Sequence, residues 1–135
     1  MNKEQAREYI EKNLNPGDSL AGFFFAQQSV KIWLLLLIGP LAMLSMKTFM
    51  IAVTAKGIHF HQLNMFGKFA VNDFFEFAEI ENVKIGKGII QRPMEFKFKN
   101  GRNIKIKAQL KGVERVAKLT PAIQEHIEKN IAVVK

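Results

Sequence analysis

The chain has 135 residues, 48% of them hydrophobic, and a formal net charge of +8 at neutral pH. This length is typical of one domain, and the apolar fraction is well above that of an intrinsically disordered chain. The sequence contains no cysteine, which excludes disulfides, thiolate nucleophiles and zinc–cysteine sites and fits a reducing cytoplasm.

The first segments indicate a helix, a turn and a strand. Residues 2–14 are predicted to form a helix with Asn2 as its cap. Its apolar residues recur at three and four and share one face: Ala6, Tyr9, Ile10 and Leu14. The sequence "NPGD" at 15–18 ends that helix in a turn. The following "SLAGFFFAQQSV" is aromatic-rich and has no helix cap, so it predicts a first strand.

A run from Ile32 to Met46 has fifteen residues and no charge. As an ideal helix it spans about 22 Å, which is less than the roughly 30 Å of a bilayer core. Gly39-Pro40 predicts a bend inside it. Three arrangements stay open: packing on protein of the same or a neighbouring subunit, a re-entrant finger in one leaflet, and a full crossing. In each of them we expect the contacts to come from Trp33, Leu34, Leu35, Leu36, Leu37, Leu41 and Leu44.

Residues 49–63 alternate in a way that predicts a hairpin. If Val53 faces Ile58, then Ile51 faces Phe60 and both apolar sets share one face. This register makes residues 54–57 the loop and leaves Gly57 free to take a positive φ. Two further short strands are predicted within residues 69–77 and 79–86.

Residues 93–110 form the clearest predicted hairpin. A two-residue Asn100-Gly101 turn would put a lysine on the apolar face. A three-residue loop, residues 99–101, instead pairs Phe96 with Ile104 and sets Gly101 where a left-handed conformation is needed. The same register pairs Met94 with Ile106 and Glu95 with Lys105, and it directs Lys97, Lys105 and Lys107 outward, with Lys99 at the tip.

The C-terminal part is predicted to be helical, because apolar residues recur at three and four at Val113, Val116, Ala117, Ile123 and Ile127. Pro121 interrupts this pattern. Thr120 is placed to cap a second segment that starts at Pro121, so a kink or break is expected there.

Three segments resemble the bacterial pleckstrin-homology-like (PH-like) domain family: "IAVTAKGIHF" at 51–60, "FAEIENVKIGKG" at 77–88 and "FKFKNGRNIKIKA" at 96–108, followed by the C-terminal helix. The resemblance implies a mainly β fold with α-helix. Its bent antiparallel sheet, a partly open barrel of about seven strands, is capped by the C-terminal helix. The N-terminal helix, residues 1–15, would precede a PH-like domain at 16–135 that carries an apolar insert at 31–47.

The same resemblance implies a non-catalytic binding module without a cofactor. Residues 82–118 hold eleven Lys or Arg against two Glu, which indicates a polyanionic partner or a solubilising face. We expect an anionic membrane lipid or a protein partner, with homo-oligomerisation possible, at the cytoplasmic side of the cell membrane. The expected contact cations are Lys31, Lys47, Lys97, Lys99, Lys105 and Lys107.

Three other readings of the residues are less favoured. Nucleic-acid binding would use Phe96 and Phe98 as stacking platforms, but strand parity points them away from the lysines. His59 and His61 share one strand face but lack a third metal ligand, so two half-exposed histidines without metal are expected. The acidic cluster Asp73, Glu76, Glu79 and Glu81 is expected to be a solvated or oligomer-facing edge, so no catalytic residue is assigned.

Overall fold

A computed structural model describes residues 3–28, 47–64, 67–111 and 117–134. They form a mainly β structure with two helices and one 3₁₀ turn. The elements are α1 (Lys3–Lys12), β1 (Leu20–Gln28), β2 (Thr48–Thr54), β3 (Gly57–Leu63), β4 (Phe69–Glu76), the turn Phe77–Glu79, β5 (Ile80–Ile85), β6 (Gln91–Phe98), β7 (Asn103–Gln109), α2 (Pro121–Asn130) and β8 (Val133–Val134).

The strands form one sheet in the order β4-β3-β2-β1-β7-β6-β5-β8. All neighbours are antiparallel except β5 and β8, which run parallel. The sequence predicted about seven strands, and the short eighth strand is an addition to that prediction. The apolar insert predicted at 31–47 connects β1 to β2, and all of it except Lys47 lies outside the described residues.

The sheet bends back over itself. Phe75 in β4 and Phe98 in β6 are five strand positions apart, which in a flat sheet would be about 24 Å. Their ring centroids are 4.4 Å apart, and Phe60 in β3 lies 5.5 Å from Phe96 in β6. Since both ends of the sheet contribute to one interior, the core lies in the concave side between its two halves.

The C-terminal helix covers this core with Ile123 and Ile127, which belong to the same buried cluster as the strand residues. Thr120 accepts a hydrogen bond from the Ile123 amide at 3.2 Å, and Pro121 is the first helical residue. Residues 117–120 are not helical, so the predicted break at Pro121 is confirmed. Val113 and Val116, predicted to be helical, lie outside the described residues.

The N-terminal helix lies on the opposite, convex face of β1–β3. Ala6 and Ile10 of α1 are buried in a second cluster with Phe23, Met50 and Ala52. Tyr9 stacks on Phe69 of β4 with ring centroids 4.0 Å apart. Ala6 and Ile10 confirm the predicted helical face, whereas Leu14 lies beyond the last helical residue, Lys12. The strands β1–β3 are therefore covered on both sides.

Both predicted hairpin registers are confirmed. Val53 pairs with Ile58 and Ile51 with Phe60. In the second hairpin Phe96 pairs with Ile104, Met94 with Ile106 and Glu95 with Lys105. The Phe98 amide donates to the Arg102 carbonyl at 2.9 Å, which leaves a three-residue loop in which Gly101 has φ 89°.

The prediction that Gly57 takes a positive φ in a turn is wrong, because its φ is not positive. It is the first residue of β3 and pairs with Glu76. A Cβ atom at this position would collide with the Phe75 carbonyl oxygen. Glycine is needed here for a close approach of two backbones rather than for a left-handed turn.

Candidate anionic-surface site

The predicted basic face lies on the convex side of β5, β6 and β7. Phe96 and Ile106 point into the core, so strand alternation directs Lys97, Lys105 and Lys107 to the outside. All three lysines are exposed. The structure therefore brings together three of the cations that the sequence assigned to this site; what they bind stays a prediction.

Lys84 of β5 joins this face. It lies opposite Glu95, which in turn lies opposite Lys105, so the three side chains form a row across three strands. A surface recess of about 240 Å³ is lined by Lys84, Pro93, Glu95 and Lys105 among others. The sequence offered a signal for Lys84, since it alternates with Val83, but the predicted set of contact cations omitted it.

The lysines of this face are weakly engaged by carboxylates. Lys97 lies 3.9 Å from Glu81, with both side chains half exposed. Such a surface ion pair contributes at most about 1 kcal/mol. Glu95 accepts a long hydrogen bond from Asn103 at 3.4 Å. Among the ion pairs of the described residues none includes Lys84, Lys105 or Lys107, so these cations remain open to an external anion.

The tip of the β6–β7 hairpin adds Lys99 and Arg102, both exposed. The Lys99 amide donates to the Glu79 carbonyl at 3.0 Å, which fixes the tip against the start of β5. Arg92, in contrast, donates from Nη1 to Gln124 Oε1 of α2 at 2.5 Å. Arg92 therefore joins the sheet to the helix and does not belong to the basic face.

The insert leaves the sheet next to this face. The Gln28 amide donates to the Lys47 carbonyl at 2.8 Å, and this pair closes the root of the insert. Gln27 lies opposite Lys107 and Gln28 opposite Ile106 on β7. Lys47 is exposed. Lys31 and the predicted apolar contact residues Trp33, Leu34, Leu35, Leu36, Leu37, Leu41 and Leu44 lie outside the described residues.

Phe96 and Phe98 are 0% and 1% exposed. They fill the core, so they are not available as stacking platforms for bases. The expectation that aromatic and basic residues face opposite sides of β6 is confirmed.

The prediction that His59 and His61 are half-exposed is wrong, since each is 1% exposed. Their rings stack with centroids 5.4 Å apart, and they are covered by aromatic residues from α1 and β4, namely Tyr9, Phe69 and Phe74. Sequence alternation identified the shared face but not the helix that covers it.

The two imidazoles are poorly supplied with hydrogen bonds. His59 Nδ1 lies 3.2 Å from Asn72 Oδ1, whereas His59 Nε2 and both nitrogens of His61 have no partner. Burial lowers the pKa of His61 to about 4, with a smaller contribution from His59. Burial also lowers the pKa of His59, partly offset by Asn72. Among the described residues no group of three His, Asp or Glu could hold a metal ion.

The acidic cluster is exposed, and two of its members have structural roles. The Glu79 carboxylate accepts a hydrogen bond from the Glu76 amide at 2.8 Å and caps the 3₁₀ turn. Glu81 faces Lys97. Glu79 and Glu81 therefore stabilise the local structure of the β4–β5 connection.

Comparisons with known proteins give a fold and no family. No family model matches the sequence, and no curated protein matches it. Among solved structures the chain is similar to the hSac2 domain from the human phosphoinositide phosphatase Sac2, with 11% identity, a TM-score of 0.55, and coverage of 94% of this chain and 77% of that one. At this identity the likeness establishes a shared β-rich fold. Neither helix of the described part is long and apolar enough to cross a membrane.

Proposed function

We propose that this chain is a non-catalytic PH-like binding module that associates with anionic membrane surfaces. The basic convex face of β5–β7 would supply the electrostatic attraction, and the apolar insert at 31–47 the hydrophobic contact. The sheet order, the strong bend and the C-terminal helix over the core support the PH-like interpretation. The likeness to the hSac2 domain over 94% of the chain supports the β-rich fold on which this interpretation depends.

The observation that carries this proposal is the separation of charge from core within one hairpin. Lys97, Lys105 and Lys107 lie on one side, while Phe96 and Ile106 lie on the other. Each lysine close to an anionic leaflet contributes about 1 kcal/mol of attraction. Four lysines of this face (Lys84, Lys97, Lys105 and Lys107) outnumber its two carboxylates, Glu81 and Glu95, and leave a net positive charge. The face therefore favours a polyanionic surface over a neutral partner.

The structural neighbour is a domain of a phosphoinositide phosphatase, which favours a lipid as the source of that negative charge. The headgroups of phosphatidylserine and of a phosphoinositide both present anionic oxygens to lysine. Vesicles with phosphatidylserine and vesicles with a phosphoinositide at equal total charge distinguish general attraction from headgroup recognition. We expect equal binding to both.

Liposome flotation tests the proposal. We expect the protein to float with phosphatidylcholine–phosphatidylserine vesicles and to float less as salt rises, because screening weakens surface attraction. Flotation that is equal with neutral and anionic vesicles, or no flotation at all, would contradict it.

Charge reversal on the basic face provides the specific variant. Lys105→Glu with Lys107→Glu should lower the fraction that floats by at least tenfold, since two attractive charges become repulsive. Lys3→Glu with Lys12→Glu is a matched control, because these exposed lysines lie on α1 and change the net charge equally. An equal loss in both double variants would mean that net charge alone, and not this face, directs binding.

The insert is tested separately by Leu35→Asp with Leu36→Asp, which should abolish flotation. The alternative, self-assembly through the insert, predicts a discrete oligomer that is insensitive to salt and forms without lipid. Light scattering in detergent-free buffer separates the two, and such an oligomer without flotation would favour a soluble scaffold.

A further inference from the structure

The connection between β5 and β6, residues 86–90, carries two exposed isoleucines. Ile89 is 75% exposed and Ile90 is 64% exposed. They are the most exposed large hydrophobic side chains among the described residues. The anionic-surface site described above does not include them. Two adjacent β-branched apolar side chains in water at a loop tip need an explanation beyond local structure.

The backbone of this loop is held in place. The Gly86 amide donates to the Pro93 carbonyl at 2.8 Å, and the Leu110 amide donates to the Ile90 carbonyl at 3.0 Å. A Cβ atom on Gly88 would collide with the Gln91 carbonyl oxygen, so the turn is as tight as glycine allows. The two isoleucines therefore project from an ordered turn and cannot reach the core.

Two lysines lie close to the isoleucine pair along the backbone. Lys87 lies within the loop, and Lys111 follows Leu110, whose amide is bonded to Ile90. Both lysines are exposed, and the ion pairs of the described residues include neither. Exposed aliphatic side chains with lysines around them complement the acyl boundary and the phosphates of an anionic bilayer.

A second copy of the chain fits this tip poorly. A stable protein interface needs about 800 Å² from each partner, and two isoleucine side chains provide a small part of that. A symmetric contact would also bring the lysines of the two copies together. We therefore propose that Ile89 and Ile90 insert into an anionic bilayer while Lys87 and Lys111 contact its phosphates.

This inference rests on the proposed membrane association and adds a second attachment point to it. Gln28, at the root of the insert, lies opposite Ile106, and Ile90 lies beside Leu110. Ile106 and Leu110 are four residues apart on one extended stretch, which is about 13 Å. Lys107 lies between them. Attachment both at this loop and at the root of the insert would fix the orientation of the sheet on the membrane.

An environment-sensitive fluorophore tests the loop directly. The sequence has no cysteine, so Ile89→Cys can be labelled uniquely with a nitrobenzoxadiazole dye. With phosphatidylcholine–phosphatidylserine vesicles we expect a blue shift and stronger emission. Val71→Cys is the matched control, since Val71 is 52% exposed on edge strand β4, and its emission should not change.

Flotation of Ile89→Ser and Ile90→Ser should show a loss of about tenfold for each substitution, the ratio expected for one buried aliphatic side chain. Val71→Ser should float as the unsubstituted protein does, and unchanged circular dichroism would verify folding. If the protein floats but the dye at position 89 stays in water, this inference fails while the proposed function stands. If nothing floats, both fail. A blue shift without vesicles that grows with protein concentration would indicate self-association and would also overturn the inference.

Discussion

Replacing His61 by Phe tests how a buried polar group under α1 affects stability. His61 has two unpartnered ring nitrogens and lies against the rings of His59, Tyr9 and Phe69. Phenylalanine preserves the ring contacts and removes both nitrogens. Since an unsatisfied buried polar group costs about 1–3 kcal/mol, the variant should be at least as stable as the parent at neutral pH.

The larger effect is on the pH dependence of unfolding. The folded pKa of His61 is about 4, lowered from 6.5 by burial. As the pH falls below 6.5 the unfolded chain takes up a proton at this residue and the folded chain does not, so stability decreases. The loss reaches about 2 kcal/mol near pH 5 and about 3 kcal/mol near pH 4, and it levels off below the folded pKa.

Urea denaturation at a series of pH values between about 7 and about 4 measures this difference. All other titratable groups are present in both proteins, so the difference between the parent and His61→Phe reports on His61 together with its smaller coupling to His59. We expect the gap between the two stability curves to widen by about 2 kcal/mol from pH 7 to pH 5. Parallel curves over this range would refute the argument that His61 is held neutral by burial.

Three further substitutions test the fold, and a fourth, Gly86→Ala, serves as a control for one of them. Thr120→Ala should lower the free energy of unfolding by about 1 kcal/mol, since the Ile123 amide loses its cap; an unchanged urea midpoint would contradict this. Gly57→Ala should lower the free energy of unfolding by more than about 1 kcal/mol, because the added methyl group meets the Phe75 carbonyl oxygen. Gly86→Ala should lower it by less, because its methyl group meets only the side chain of Pro93. Phe60→Ala should cost about 3–5 kcal/mol, because Phe60 is 1% exposed and contacts Phe96 and Phe98; a loss below 1 kcal/mol in the same urea assay would show that the two halves of the sheet do not share one core.

The sequence predicts which residues form the basic face, because the alternation of side chains along a strand depends only on neighbouring residues. Once the loop at residues 99–101 sets the register, each residue of β6 and β7 is assigned to one side, and the lysines follow. The same locality explains the success with the Thr120–Pro121 helix start and with the Ala6–Ile10 face. Cap chemistry and a repeat of three and four residues are contained within a few neighbouring positions.

The rest depends on which distant segments meet. The local sequence around Gly57 predicts a turn, yet glycine is needed there because of the close approach of β4, nearly twenty residues further along the chain. The apolar pair Ile89–Ile90 was missed because two adjacent isoleucines also suit a buried strand, and their exposure follows from the end of the ladder at Ile90.

Local sequence patterns are enough to predict the hairpin registers, the helix start at Pro121 and the sides of β6 and β7 on which lysines and phenylalanines lie. Contacts between distant segments decide that α1 and β4 together bury His59 and His61. They also bend the sheet far enough to bring Phe75 against Phe98. The physical reason is that periodicity specifies which face of an element is apolar, whereas the partner that covers this face is selected by packing between residues far apart in the chain.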